Sequence, residues 1–241
     1  MPPCYGQIEE RFWLCGSIVL HMVISGSRPR VISFDAEGTL ATHDFSIVVW
    51  QEVVPSLYAE HRGIDIQVAK QTVYAEFMRI GMKRREWFDI DYWFDKFDLG
   101  PAATAIEAHR HLIKYYPDAV PVLEKLHGKY QLVVASSTPH EFLEPLLRDV
   151  QPYFARMFSA TSEFGAVKDV RFFRWMCSEL QIEPSEVVHV GDSWKKDCLS
   201  AGAAGMAAYY LDRAGTDGSS LHTLWDLVAV LEDGRRLDSS A

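Results

Sequence analysis

Cysteine is scarce. The chain of 241 residues holds four, Cys4, Cys15, Cys177 and Cys198, and no two form a CxxC pair. This argues against a disulfide framework or a thiolate zinc site and fits a reducing cytosol. Basic charge is short as well: 24 Lys and Arg face 33 Asp and Glu, for a formal net charge of -9. Nonspecific nucleic-acid binding relies on Lys and Arg to neutralise phosphates, so no nucleic-acid partner is expected. A small anionic substrate needs only a local basic site and stays compatible with that charge. Long apolar runs are missing too. The stretch FWLCGSIVLHMVI, residues 12–24, is interrupted by Gly16, Ser17 and His21 and is too short to span a bilayer. The residues before it carry one Arg against two Glu and lack the basic start of a secretion signal. A cytoplasmic protein without a membrane partner is the expectation. No internal repeat appears, and the only biased segment is a short polar tail.

Apolar residues nevertheless make up 48% of the chain, enough for a folded core. Residues 1–30 read as an N-terminal extension, with Met22 an alternative start, because the first convincing element begins at Val31. The run Val31–Phe34 stops at Asp35 and predicts a buried strand. From Phe45 to about Tyr116 the apolar spacing turns helical. It runs through Ile47, Val48, Trp50, Val53, Val54 and Leu57, then Val73, Phe77 and Ile80, then Ile106 and Ile113. Pro117 and Pro121 mark the way out. Beyond them, strands are expected at 130–136, 156–161, 186–190 and 205–211, and helices at 120–127, 141–147, 167–180 and 221–231. Strands alternating with helices predict an α/β fold, a Rossmann-like parallel sheet with helices on both faces. Residues 31–44 and 117–241 would form that core, and 45–116 an inserted all-α domain.

Ligands of such folds bind at the carboxyl ends of the strands, and there the polar residues collect: Asp35, Ser136 and Asp192. Lys168 lies near the start of a helix, Glu37 two residues after Asp35, and Asp197 five after Asp192. Mg²⁺ takes one or two carboxylates plus substrate phosphate, which Asp35 and Asp192 could supply. A carboxylate can also attack phosphorus and split one hard step into two. Lys168 would screen its charge, and Ser136 would donate to a phosphate oxygen. The second acid, Glu37, would protonate the leaving oxygen and then help a water attack.

This ordered set resembles the haloacid dehalogenase superfamily of hydrolases. The matching stretches are VISFDAEGTL, LVVASST, the Lys168 of GAVKDVRFF, and VVHVGDSWKKD, followed by AGAAGMAAYYLDR. The all-α insert resembles that family's helical cap, and the DAxGTL form is closest to its branch of phosphatases and 2-haloacid dehalogenases. The resemblance implies Asp35 as nucleophile and metal ligand. It implies acid/base work from the Glu37 side chain and a metal ligand from its backbone carbonyl. Ser136, Ser137 and Lys168 would hold the phosphoryl group, with Thr138 a further hydroxyl at the same exit. Asp192 would bind Mg²⁺ and Asp197 would support the metal. Two departures stand out: the family's usual second acid is Asp, here Glu37, and its Lys is commonly followed by Pro, here Asp169.

Each residue also has a plainer reading. Asp35 could simply end a strand, Lys168 could be a solvated helix residue, and Asp197 a helix N-cap. His189 reads as a core histidine and Cys198 as packing. The KRR run at 83–85 reads as a solvated face, and Trp87, Phe88, Tyr92, Trp93 and Phe97 as the core of the insert. Three functions compete. The first is a Mg²⁺-dependent phosphohydrolase acting on a small phosphorylated metabolite through an aspartyl-phosphate. The second is a 2-haloacid dehalogenase, whose halide leaves without a proton and whose sites typically lack an acid at the position of Glu37. The third is a non-catalytic member that kept the fold. Nothing in the pattern sets the oligomeric state.

Overall fold

Short β-branched and apolar runs supply the strands of the computed structural model, which describes residues 29–81, 84–216 and 218–238. The extension up to residue 28, and Lys83 of the basic run, lie outside the described residues. The strands are β1 (Val31–Phe34), β2 (Gln131–Ser136), β3 (Arg156–Ser159), β4 (Val187–Gly191) and β5 (Ala207–Tyr210). They pair in parallel in the order β3-β2-β1-β4-β5. From β1 the chain builds outward through β2 to β3, then returns to place β4 on the other side of β1. The topological switch point therefore falls between β1 and β4.

Of the six α-helices between β1 and β2, the first five are α1 (Asp44–Val48), α2 (Val54–Arg62), α3 (Ile66–Ile80), α4 (Ile90–Phe97) and α5 (Ala102–Ala108). A π turn over Val49–Val53 joins α1 to α2. It sits just ahead of Pro55, whose ring cannot tolerate a regular carbonyl four residues back. The later helices are α6 (Ala119–Leu126), α7 (His140–Leu147), α8 (Val170–Leu180), α9 (Ser200–Ala204) and α10 (Leu224–Asp238). Among the described residues no helix is long and apolar enough to cross a membrane.

The two faces of the sheet follow from the period of two along each strand. Ile32, Phe34, Leu132, Val134, Val188 and Val190 share one buried cluster with residues of α6, α7 and α10. Val31, Val133, Ala135 and Val187 share another with Phe172, Phe173, Met176 and Cys177 of α8 and Ala201 and Ala204 of α9. Helices thus cover both faces, which parallel strands require.

In the helical block, Trp87, Phe88, Trp93 and Phe97 are buried and pack with Trp50 and Phe77 in the same cluster, while Tyr92 is half-buried. Trp50 also stacks on Phe142 of α7, with centroids 5.6 Å apart and planes at 24°. It meets Phe77 of α3 edge-on at 5.6 Å. The block's two connections pair with each other: the Thr42 amide donates to the Lys114 carbonyl at 2.8 Å and that of Tyr116 to Leu40 at 2.9 Å.

Several boundaries differ from expectation: β5 is shorter than 205–211, and the last helix runs to Asp238 rather than 231. The strand expected to 161 ends at Ser159, whose hydroxyl caps a π turn over Ala160–Phe164. The helix expected from 167 starts at Val170. Asp169 caps it, accepting from the amides of Arg171 and Phe172 at 2.8 and 3.1 Å. The last helix begins at Leu224 rather than 221, because the Leu221 amide is spent on the Tyr210 carbonyl at 3.0 Å.

Trp50 is 2% exposed and joins the helical block to α7. Trp50→Ala is expected to lower unfolding free energy by about 3–5 kcal/mol in urea denaturation, through the cavity it leaves.

Candidate active site

The parallel register carries the candidate side chains to one edge. Phe34 lies level with Val134 of β2 and with Val190 of β4. The next residues out are Asp35, then Ser136 and Asp192, at the carboxyl ends of adjacent strands. Asp35 is 6% exposed, and its amide donates to the Val190 carbonyl at 2.9 Å.

Lys168 is 4% exposed and sits in the segment leading into α8. Its ammonium donates to Asp35 Oδ1 at 2.5 Å and also contacts Asp197 Oδ1. Burial would push this ammonium down, but the Asp197 and Asp35 carboxylates outweigh burial and hold it well above the usual lysine range. Asp197 is fully buried. Burial would raise its carboxyl, yet Lys168 and His189 keep it well below the usual carboxylate range. Its Oδ1 faces His189 Nε2 at 3.1 Å, and its Oδ2 accepts from the Ser193 amide at 2.9 Å. His189 Nδ1 in turn meets Ser33 Oγ at 2.9 Å. Gly191 makes this possible: a Cβ there would fall 2.3 Å from Asp197 Cγ.

Asp197 therefore does not cap a helix. It lies inside the π turn Trp194–Leu199, whose N-cap is Ser193. Asp169, the departure beside Lys168, spends its charge on the α8 amides and on Arg171, whose Nε donates at 2.9 Å.

Asp192 lies across the switch point. Burial, with the charges of Asp35 and Asp197, pushes its carboxyl up to about 6 against the pull of His43. His43 Nε2 is 3.4 Å from Asp192 Oδ2. Burial would lower the His43 imidazole, but Asp192, Glu37 and Asp35 raise it overall. Gly38, at φ 79°, turns the chain between these groups, and a Cβ there would sit 2.0 Å from Asp192 Oδ2.

Glu37 is 4% exposed, and its Oε2 accepts from Thr138 Oγ1 at 3.1 Å. The Thr138 hydroxyl accepts from Ser136 Oγ at 3.2 Å. Ser137 Oγ accepts from the Lys168 amide at 3.2 Å. The structure thus brings Asp35, Glu37, Ser136, Ser137, Lys168 and Asp197 together as buried neighbours, with the half-buried Asp192 at their edge, held to His43. The pattern left three contributors outside its candidate set. Thr138 was visible only as a neighbouring hydroxyl, and His189 only as a core residue. His43 carried one signal, an imidazole three residues after the DAEGTL turn.

The donors fit a hard divalent cation. Asp35, Asp192 and Asp197 each offer a carboxylate oxygen, and these lie within 4.8 Å of one another. Oxygen-only donors suit Mg²⁺, and a cation would offset the burial and the neighbouring carboxylate charges that raise Asp192. Both Asp197 oxygens already have partners, so Asp35 and Asp192 are the better placed ligands.

A family model described as haloacid dehalogenase-like hydrolase matches residues 29–205. The fold resembles that of a HAD phosphatase from Thermococcus onnurineus, 27% identical, with TM-score 0.73 over 84% of this chain and 97% of that one. A magnesium-bound HAD-hydrolase from Bacillus subtilis is 18% identical, with TM-score 0.59 over 86% of this chain and 100% of that one. A 2-haloacid dehalogenase from Pseudomonas syringae is 20% identical, with TM-score 0.58 over 85% of this chain and 99% of that one. These last two share the fold. A phosphoglycolate phosphatase from Vibrio vulnificus is 29% identical over 99 residues, 40% of this chain. The match spans 43% of that curated relative's length.

The Asp192 shift has a measurable sign. Folding raises the Asp192 carboxyl from 3.8 to about 6. Its favourable share in stability is therefore present below about pH 4 and lost as pH rises through about 6. Metal-free Asp192→Asn is expected to exceed wild type by up to about 3 kcal/mol at pH 7. That gain should vanish at pH 4, as read by denaturation in EDTA at both pH values.

Proposed function

The chain belongs to the haloacid dehalogenase-like hydrolases, and from that premise we propose a Mg²⁺-dependent phosphohydrolase acting on a small phosphorylated metabolite. The observation that carries this reading is the pairing of a buried, lysine-held carboxylate, Asp35, with a second buried acid two residues on, Glu37. A phosphoester needs both, because its leaving oxygen must be protonated. A halide needs no such acid, so Glu37 weighs against the dehalogenase reading.

In the proposed reaction an Asp35 carboxylate oxygen attacks phosphorus as the bond to the leaving oxygen breaks. Glu37 gives its proton to that oxygen, and the alcohol departs. Glu37, now a carboxylate, takes a proton from a water whose oxygen attacks the aspartyl-phosphate. The acyl-phosphate P–O bond breaks, releasing phosphate and restoring Asp35. Lys168, Ser136 and Ser137 orient the phosphoryl oxygens. Mg²⁺, held by Asp35, Asp192 and the Glu37 carbonyl with Asp197 in support, would neutralise phosphoryl charge. Residues 31–44 and 117–241 act as the catalytic core, and 45–116 as a cap that supplies substrate specificity.

Mg²⁺-dependent phosphate release is expected from a panel of phosphorylated metabolites that includes phosphoglycolate. Asp35→Asn is expected to lower kcat by about 10⁴-fold or more, and excess EDTA to abolish turnover. Turnover that survives either one rejects the proposal. Metal-independent chloride release from 2-chloropropionate would establish the dehalogenase instead.

A further inference from the structure

We infer that Thr138 is the positioning residue for Glu37, and that the two form a matched pair which adapts this site to a glutamate. The inference rests on the phosphohydrolase reading and adds to it what holds the Glu37 carboxyl in place.

Each hydroxyl has one hydrogen to give, which sets a direction. Ser136 Oγ donates to Thr138 Oγ1 at 3.2 Å, and Thr138 Oγ1 donates to Glu37 Oε2 at 3.1 Å. The last contact exceeds the usual hydroxyl bond of about 2.7–2.8 Å, as expected of catalytic contacts before substrate tightens them. The Thr138 peptide is itself held on both sides. Its amide donates to Ser136 Oγ at 3.2 Å, and its carbonyl accepts from Ser159 Oγ at 2.9 Å. Ser136 and Ser159 are register partners on β2 and β3. The hydroxyl that meets Glu37 therefore stands on the sheet.

Glu37 Oε1 is buried and has no hydrogen-bond partner among the described residues. With Oε2 held by a donor, Oε1 is the oxygen left without one. An aspartate at position 37 would draw the carboxyl back by one carbon–carbon bond, about 1.5 Å. From a 3.1 Å contact that retreat breaks the hydrogen bond. The longer side chain thus reaches a fixed donor that an aspartate could not.

The test is a double-mutant cycle of Glu37→Asp and Thr138→Val, with Thr138→Ser as the conservative variant. It is assayed with Mg²⁺ on para-nitrophenyl phosphate and on an alkyl phosphate. Misplacement by about 1 Å costs about a hundredfold in rate, so Thr138→Val is expected to lower kcat about ten- to hundredfold with KM nearly unchanged. Thr138→Ser should restore kcat. Glu37→Asp should be slower than wild type, and in that background Thr138→Val should change kcat by less than about twofold. Mg²⁺ affinity of Thr138→Val, read by calorimetry, should equal that of wild type. An unchanged or raised kcat in Thr138→Val, a loss confined to KM, fully additive losses, or collapsed Mg²⁺ binding each overturns the inference. A wild type that releases no phosphate instead sinks the parent reading, and this one with it.

Discussion

One buried cation organises the site. The Lys168 ammonium lies between Asp35 at the end of β1 and Asp197 in the π turn after β4. Burying such a group is costly unless its partners are well placed and otherwise satisfied. Here they are. Asp197 is held by His189 and the Ser193 amide, and His189 by Ser33 from the neighbouring strand. The bare backbone of Gly191 leaves room for the carboxyl. Three distant stretches of chain are tied to one charge. The attacking oxygen proposed for catalysis is among the atoms so fixed.

Lys168 balances only one of the two carboxylates it touches, and a third lies beside them. Asp192 faces Asp35 and Asp197 across the switch point, and burial joins with them to raise its carboxyl. A site built for stability alone would not gather these carboxylates. Gly38 is part of the same arrangement, since its positive φ and lack of a side chain let the turn run against Asp192. The metal-free fold tolerates this repulsion, and a bound cation would turn it into attraction. Stability is given up at the place where the proposed chemistry needs it.

Much of this was legible in the chain itself. Apolar runs that stop at Asp35, Ser136 and Asp192 marked parallel strands and their carboxyl edge, and helical spacing from 45 to 116 marked helices between β1 and β2. What stayed hidden depended on distance in three dimensions. His189 sits in an apolar strand, and only the fold of the turn behind it brings Asp197 to its ring. Thr138 is one hydroxyl among several at a strand exit, and its contact with Glu37 joins residues 101 apart. Asp197 could have been a helix cap because Asp suits that role, but the π turn places it inward. Asp169, which departs from the resemblance, caps α8 and pairs with Arg171.

The central claim is that Asp35 takes the phosphoryl group. It is tested most directly by trapping that adduct: the enzyme is mixed with Mg²⁺ and para-nitrophenyl phosphate, quenched in acid within its first turnovers, digested, and mapped by mass spectrometry. The account expects a phosphoryl increment on the peptide containing Asp35, lost on treatment with hydroxylamine and absent from Asp35→Asn. Turnover with no increment on that peptide, or with the increment on a serine or histidine, would contradict it.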